Sequence, residues 1–493
     1  MSRQRTSDLE VAIIGAGFGG LGTAIQLKQH GIEDFLVFEK TAGVGGTWWV
    51  NRYPGCACDV PSHLYSFSFA PNPDWTRRYA PRTEIQAYLE SLVDRFRLEA
   101  HIRVRTGITQ ATWSEREQRW QLNDASGRKW RARVLVAALG GLSRPAWPDI
   151  PGLDDFAGEI VHSQQWNENL KLAGRRVAVI GTGASAVQLV PHVAREAKRL
   201  DIYQRTPNWI LPRPDRAIGP RRRALYRRQP WLQKLARFGI WAISELRVPA
   251  FLWSNRLAAG HRWLAHRHRR RQVRDPELRE QLKPDYDIGC KRVLLANDFY
   301  PVFDQRHVEL VTDGIARIGP DAITDTGGQR RVVDTIILAT GFKAVDPVPE
   351  GLIAGRGGCD LGKCWHSGPE AYKGTAVAGF PNLFMLLGPN TALGHNSVVM
   401  MIESQIRYLL AALDHMRAHG IETLEVRAEA QQRWNDMLAR RMEGTVWTAG
   451  GCQSWYLHPE TGRNSTLWPG FTLGFRQRLS RFDPEHYLAT KSA

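Results

Sequence analysis

The glycines at 15, 17 and 20 stand in G-x-G-x-x-G spacing, with a single acid, Glu39, 24 residues after the first. The first glycine permits a tight turn, the second lets backbone approach a pyrophosphate, and the third allows close helix–strand contact. An acid at that distance suits a free ribose 2′-hydroxyl. The pattern returns at Gly181 and Gly183, with Ala186 in the third place. Here the residue 24 positions after the first glycine is Arg205. A cation there suits a 2′-phosphate, so the two units read as sites for FAD and for NADP respectively. A third stretch, GGTWWVNRYPGCACD (45–59), packs bare backbone, flat rings, a Tyr-Pro-Gly turn and one carboxylate, Asp59, into a short segment. Nothing about a folded core requires that mixture.

These residues depend on elements that must bring them together. EVAIIG (10–15) is a continuous apolar run ending at glycine, as in a buried parallel strand; a helical pattern follows and closes at Gly31, and DFLVFEK then forms a second strand ending on Glu39. RRVAVIGTGASAVQLVPHVAREAKRLDIYQRT repeats the unit. Two further apolar runs, 132–141 and 333–342, stop at small residues and glycine and read as strands that return the chain to the cofactor edges. The fold expected is α/β, with two Rossmann-like dinucleotide domains and a helical insertion in the second. The FAD domain occupies 1–145, a linker 146–165, the NADP domain 166–212, the insertion 213–284, the rest of the NADP domain 285–342, and the rest of the FAD domain 343–493. In that last part FPNLFMLLGPN reads as a strand and turn feeding a helix from Ser397, whose start would present amides to the flavin.

At 493 residues the chain needs more than one core. The net charge of +17 predicts attraction to phosphate-bearing partners without choosing among nucleotides, nucleic acid and anionic membranes. Six cysteines make no disulfide framework in a chain this long and read as reduced, partly buried thiols. Cys56 and Cys58 are in C-x-C spacing, which strains a disulfide ring and argues against a dithiol reductase; no metal site is expected. The polar start MSRQRTSDLE is unlike a signal peptide and no apolar run is long enough to span a bilayer, so a cytoplasmic location is expected.

Residues 45–59 resemble the first signature of type I Baeyer–Villiger monooxygenases, with every defined position matched from Gly46 and Trp48 to Asp59. A second signature of that family is matched by FAGEIVHSQQWN (156–167), except that Asn167 stands where the family has Pro or Asp. The resemblance runs over nearly the whole chain and implies an FAD-containing, NADPH-dependent enzyme that uses O2, through a peroxyflavin, to turn a lipophilic ketone into an ester or lactone. It assigns catalysis to Arg292 in IGCKRVLLANDFYPVF, paired with Asp59. An arginine suits that role because it stays charged and does not give up its proton. Flavin contacts would come from Gly15, Gly17, Phe18, Gly20, Glu39, Gly46, Thr47, Trp48, Asp59, Tyr65 and Ile108. Contacts to NADP would come from Gly181, Thr182, Gly183, Ala184, Ser185, Ala186, Arg205, Thr206, Lys291 and Arg292, with Trp455 of CQSWY closing over the nicotinamide ribose. The Tyr-Pro-Gly turn would steer the chain around the flavin ring, and His162, near the domain crossover, would act as a structural or hinge residue.

The alternatives are a flavin monooxygenase acting on nitrogen or sulfur, and a non-oxygenating NADPH reductase or oxidase, which would need no Arg292–Asp59 pair. The insertion, dense in arginine at 213–228 and 261–274 with an apolar helical pattern between, reads as a lid with an apolar inner face and a basic outer one. It would also suit a membrane-surface element. Nucleic-acid binding is not expected, because arginine runs without a reading module are usually solvated faces. The sequence leaves the oligomeric state open.

Overall fold

The computed structural model describes residues 7–491; the first six residues of the polar start lie outside the described residues. The apolar run of the first unit becomes the strand Ser7–Ile14, with Val11, Ala12 and Ile13 fully buried. It pairs in parallel with Phe35–Phe38 on one side and Lys129–Ala137 on the other. An antiparallel meander, Ile108–Ser114 to Arg119–Asp124 to Lys129–Ala137, extends this sheet. The late strand Leu383–Met385 returns to lie beside Lys129–Ala137, and Ile353–Ala354 beside Ile108–Ser114. The chain after 343 therefore completes the first sheet.

The second sheet is wholly parallel, in the order Val308–Val311, Arg199–Tyr203, Arg176–Ile180, Thr335–Leu338 and Glu159–His162. The strand Glu159–His162 falls in the stretch expected to be linker; it sits at the sheet edge, where the adjacent apolar pair Ile160 and Val161 stands beside Ile336 and Ile337 of Thr335–Leu338. Backbone crossovers knit the two domains where the chain passes between them: Ala146 N–H donates to the Gly341 carbonyl at 2.9 Å, and Lys343 N–H to that of Arg144 at 3.0 Å.

The two glycine turns are built alike. Gly15 and Gly181 have φ of +104° and +106°, and a Cβ on either would lie 2.5 or 2.6 Å from a carbonyl of the neighbouring crossover strand, that of Ala138 or Ala339. Only glycine fits both the backbone angle and the close approach. The third positions differ. A Cβ on Gly20 would come within 1.8 Å of the Gly15 carbonyl, whereas Ala186 is accommodated, fully buried, in the second unit. Helices Phe18–Gln29 and Ala184–Glu196 follow these turns. The helix Val398–His419 starts as expected, with the Ser397 hydroxyl accepting from Val399 N–H and Gly420 ending it in the left-handed region.

Two expectations are corrected. Among the described residues Cys290 is bonded to Cys452 and Cys359 to Cys364, so only Cys56 and Cys58 are free thiols. The first pair is 162 residues apart in sequence and is brought together because Asp287 N–H reaches the Gly450 carbonyl at 2.9 Å, a contact that no spacing rule shows. The insertion forms the helices Pro220–Arg228, Pro230–Glu245, Val248–Leu252, Ala259–Gln272 and Pro276–Gln281. Its central helix is oriented opposite to the lid reading. Gln233, Ser244 and Glu245 are buried, while Trp231, Leu235, Phe238 and Leu246 face outward. The reason lies in what the inner face meets. The Arg237 guanidinium donates to the carbonyls of His63, Leu64 and Ser66, and the Gln233 amide donates to the carbonyl of Asn72 at 2.6 Å. Glu245 accepts from Asn396, from the Thr472 hydroxyl and from Thr472 N–H at 2.7–2.9 Å. Exposed carbonyls of the 63–72 loop need donors, so polar side chains turn inward and the apolar ones are left outside.

Candidate active site

A cavity of about 680 Å³ opens along the C-terminal edge of the first sheet. Gly15, Gly17 and Phe18 of the first turn line it, with Glu39, Gly46, Thr47, Trp48, Tyr65, Ile108, Arg292 and Trp455. The two glycine loops approach so closely that a Cβ on Gly46 would lie 3.0 Å from the Gly17 Cα, leaving bare backbone on the wall. Gly20 lies outside the lining and serves helix–strand contact instead. Glu39 is buried, and its carboxylate accepts from Ala16 N–H at 2.9 Å and from the amide and hydroxyl of Thr41 at 2.8 Å. A carboxylate has room for a further donor, so Glu39 is fixed by the turn with acceptor capacity left for a ribose. The Trp48 indole N–H donates to the Tyr65 hydroxyl at 3.3 Å, and the two rings meet edge to face.

Arg292 lines the cavity, and Asp59, expected from the sequence among the flavin contacts, stands behind it outside the lining. The guanidinium Nε and Nη2 each donate to a different Asp59 carboxylate oxygen at 2.7 Å, a bidentate pair across 233 residues of sequence. The Asp59 charge, foremost, raises the already high pKa of Arg292 further against the opposing effect of burial. The side chain keeps 31% of its surface open. It is thus a cation held in place, unable to lose its proton, and exposed to the cavity. Tyr456 stands beside it, buried, with its phenol pushed up to about 12 by burial against the lowering pull of Arg292. Sequence reasoning missed Tyr456. The only signal was its place next to Trp455, which is 44% exposed and packs against the Tyr456 ring at 4.4 Å.

The residue before Arg292 faces the other way. The Lys291 ammonium lies 5.0 Å over the Tyr286 ring, and its pKa is lowered by burial first and by repulsion from Arg205 second. Among the described residues neither Lys291 nor Arg205 has a carboxylate within 4 Å. Two cations held near each other without a bonded acid make a place for a dianionic phosphate. They lie by the second glycine turn, where Gly183 precedes the helix containing Ala184, Ser185 and Ala186, and the Thr182 hydroxyl donates to the Thr206 carbonyl at 3.4 Å. Lys291 and Arg292 thus stand in two different surroundings from adjacent positions.

The remainder of the 45–59 stretch has a role different from the expected one. The Tyr-Pro-Gly turn is absent from the cavity wall and docks on the second domain. The Tyr53 hydroxyl donates to Gln188 Oε1 at 3.0 Å, and the Gln188 amide donates to the Ala57 carbonyl at 3.0 Å. A Cβ on Gly55 would sit 2.5 Å from the Gln188 carbonyl. The turn therefore fastens the loop bearing Asp59 to the helix of the second unit, because Tyr53 packs into that domain's core rather than against a ring system. Cys56 and Cys58 stay unpaired, and burial pushes Cys56 up to about 11 and Cys58 higher still. Neither suits a thiolate redox centre at neutral pH. His162 is buried between Trp147 and Phe342 at the crossover, its Nδ1 accepting from Gln164 N–H at 3.1 Å. Burial lowers its pKa.

Residues 12–224 match the model of a family described as pyridine nucleotide-disulphide oxidoreductase. The chain is 52% identical over 481 residues to a Baeyer–Villiger monooxygenase of Pseudomonas aeruginosa, covering 98% of this chain and 91% of that protein. An oxidised steroid monooxygenase solved with NADP superposes with a TM-score of 0.85 at 30% identity, covering 99% of this chain and 100% of the other. A chain named OTEMO, solved in complex with FAD and NADP, gives 0.86 at 27% identity over the same shares.

Proposed function

The chain belongs to the Baeyer–Villiger monooxygenases, and from that premise we propose that Arg292, held by Asp59, is the group that makes oxygen insertion beside a ketone possible. The enzyme uses FAD, NADPH and O2 and converts a ketone, on this reading a lipophilic one, to an ester or lactone. The single observation that carries the assignment to Arg292 is its bidentate pairing with Asp59 while it lines the cavity.

Both cofactors suit the residues present. Gly15, Gly17, Phe18, Gly46, Thr47, Trp48, Tyr65 and Ile108 would hold the flavin nucleotide, with Gly20 closing the turn behind them and Glu39 on its ribose. Gly181 to Ala186, with Thr206, would present the second turn to the pyrophosphate of NADP, and Arg205 and Lys291 would take its 2′-phosphate. When bound, the reduced flavin supplies to the ketone an oxygen atom taken from O2. The protein's part is electrostatic. Arg292 offers a fixed positive charge where negative charge develops, and Asp59 keeps that charge in one place and prevents its loss as a proton. Trp455 and Tyr456 cover the wall beside it and exclude water. His162 supports the crossover rather than touching the substrate. A cytoplasmic location would suit the need for NADPH. Among the described residues no helix is long and apolar enough to cross a membrane.

The deciding experiment needs no guess at the substrate. The purified enzyme is reduced with NADPH without air, mixed rapidly with O2, and followed by its flavin spectrum. The expected result is a long-lived species unlike oxidised or reduced flavin, with NADP still bound, that ketones discharge faster than amines or sulfides. Faster discharge by amines or sulfides would move the enzyme to nitrogen or sulfur oxygenation. Immediate return of oxidised flavin with release of hydrogen peroxide would overturn the oxygenase reading and the role of Arg292 together.

A further inference from the structure

The central helix of the insertion, Pro230–Glu245, is built inside out. Its inner face is held by Gln233, Arg237 and Glu245, each hydrogen-bonded to the body of the protein. Its outer face carries Trp231, Leu235 and Phe238 at i, i+4 and i+7, continued by Leu246 one residue past its end. The apolar strip extends onto the next segments through Trp253 and Leu257, and these six side chains are 58–78% exposed. The strip is continuous. Phe238 packs on Trp241 at 5.3 Å, Trp241 donates to the Thr472 hydroxyl at 2.8 Å, and the neighbouring Phe471 meets the Trp253 ring at 6.3 Å. Scattered exposed leucines need no explanation, but a row of tryptophan, leucine and phenylalanine on one helix face, opposite a face pinned by polar bonds, is an interaction surface.

The charge around it identifies the partner. Residues 213–284 hold nineteen of the chain's 66 lysines and arginines but only five of its 49 acids. Arg221, Arg222 and Arg228 on the adjoining helix, Lys234 on the strip's own helix and Arg256 beside Leu257 are exposed, and among the described residues none has a carboxylate within 4 Å. A second copy of this chain would bring two such arginine rims together across the interface, which like-charge repulsion opposes. Nucleic acid would satisfy the cations but leave the leucines without a partner. An anionic bilayer satisfies both, since tryptophan and phenylalanine sit at the headgroup boundary while arginine and lysine pair with lipid phosphate.

We propose that the outer face of Pro230–Glu245, with Trp253 and Leu257, docks the enzyme on the surface of an anionic lipid bilayer without crossing it. The proposal stands apart from the catalytic reading and concerns side chains outside the cavity. It is tested by floating the full-length, FAD-loaded enzyme with vesicles of phosphatidylcholine and phosphatidylglycerol, and with vesicles of phosphatidylcholine alone. A W231S/F238S/L246S variant is compared, with flavin content and melting temperature checking that its fold is intact. The expected result is flotation on the anionic vesicles only, weakened by salt and reduced about tenfold or more in the variant. Failure of the native enzyme to float, equal flotation of the intact variant, or equal flotation on phosphatidylcholine alone would overturn the proposal. A native dimer that the variant dissociates would overturn it too, by showing that a second copy covers the face.

Discussion

Arg292 and Lys291 are neighbours in sequence with different surroundings, and the roles proposed for them differ accordingly. The bidentate partner of Arg292 makes it a rigid cation facing the cavity, so its removal should strike only the step in which negative charge appears. Arg292→Ala is expected to lower oxygenation by about 10²–10³-fold, the usual cost of losing one fixed electrostatic donor. Stopped-flow reduction of the flavin by NADPH should stay within a few-fold of native; loss of reduction would move Arg292 from catalysis to cofactor binding. Lys291 and Arg205 repel each other in the free protein, a penalty that a bound phosphate would relieve. Arg205→Ala is expected to raise the Kd for NADPH about tenfold or more while leaving NADH nearly unchanged, since a charge-assisted bond accounts for about 1.5–3 kcal/mol. Equal effects on both nucleotides, read by fluorescence titration, would remove the phosphate role. Arg205 was legible because the second unit repeats the spacing of the first and changes only the sign of the last residue. Tyr456 was not, because its approach to Arg292 depends on a tail that folds back over more than 160 residues.

At the level of elements, the strands and glycine turns were legible because their causes are local. A continuous apolar run ending at Gly15 or Gly181 leaves the chain few other options. The insertion was misread for a physical reason: periodicity reveals that a helix has an apolar face but not which way that face points. Orientation was set by unpaired carbonyls of the 63–72 loop, and nothing in the helix sequence reports them. That contact also carries a pH dependence. Burial, followed by the charges of Arg222 and Arg237, depresses the His63 imidazole to about 4. Its ring nitrogen lies 3.2 Å from the Gln233 amide, a bond the neutral form can accept. A histidine whose folded pKa is lowered contributes stability that is fully present above its unfolded value, about 6.5, and is lost as pH falls toward the folded value. The protection of amides in Pro230–Glu245, measured relative to their intrinsic exchange rates at each pH, should therefore fall between about pH 6.5 and 4, and His63→Gln should flatten that response. An unchanged profile in the variant would show that other groups govern the acid loosening.

Over the whole molecule, two sheets are joined by the crossovers at 138–146 and 339–344, and one of several further fastenings between them, beside the Cys290–Cys452 disulfide, is the loop 53–59. The crossovers are held to each other by backbone bonds. The loop adds a side-chain clamp, in which Gln188 of the second domain accepts from Tyr53 and donates to the Ala57 carbonyl of the first. Asp59 lies two residues beyond that carbonyl, and Arg292, which Asp59 holds, lies next to Lys291 at the other nucleotide's site. On the proposed reading of the sites, the clamp would set the distance between the two cofactors as well as the position of Arg292 and Asp59. Removing it by Gln188→Ala should cost about 1–3 kcal/mol, the range for buried groups left without partners. That loss alone would be seen with any structural residue. The informative readout is the partition of NADPH between product and hydrogen peroxide. With the domains less firmly held, FAD should remain bound, flavin reduction should slow several-fold, and a larger share of NADPH should be spent on peroxide because Arg292 is no longer fixed by a positioned Asp59. Gln188→Glu would keep the acceptor for Tyr53 but lose the donor to Ala57, and should fall between native and alanine in both measures. A lower melting temperature with unchanged reduction rate and peroxide yield in both variants would make the clamp a matter of stability alone, and would leave the crossovers to set the geometry between the two sites.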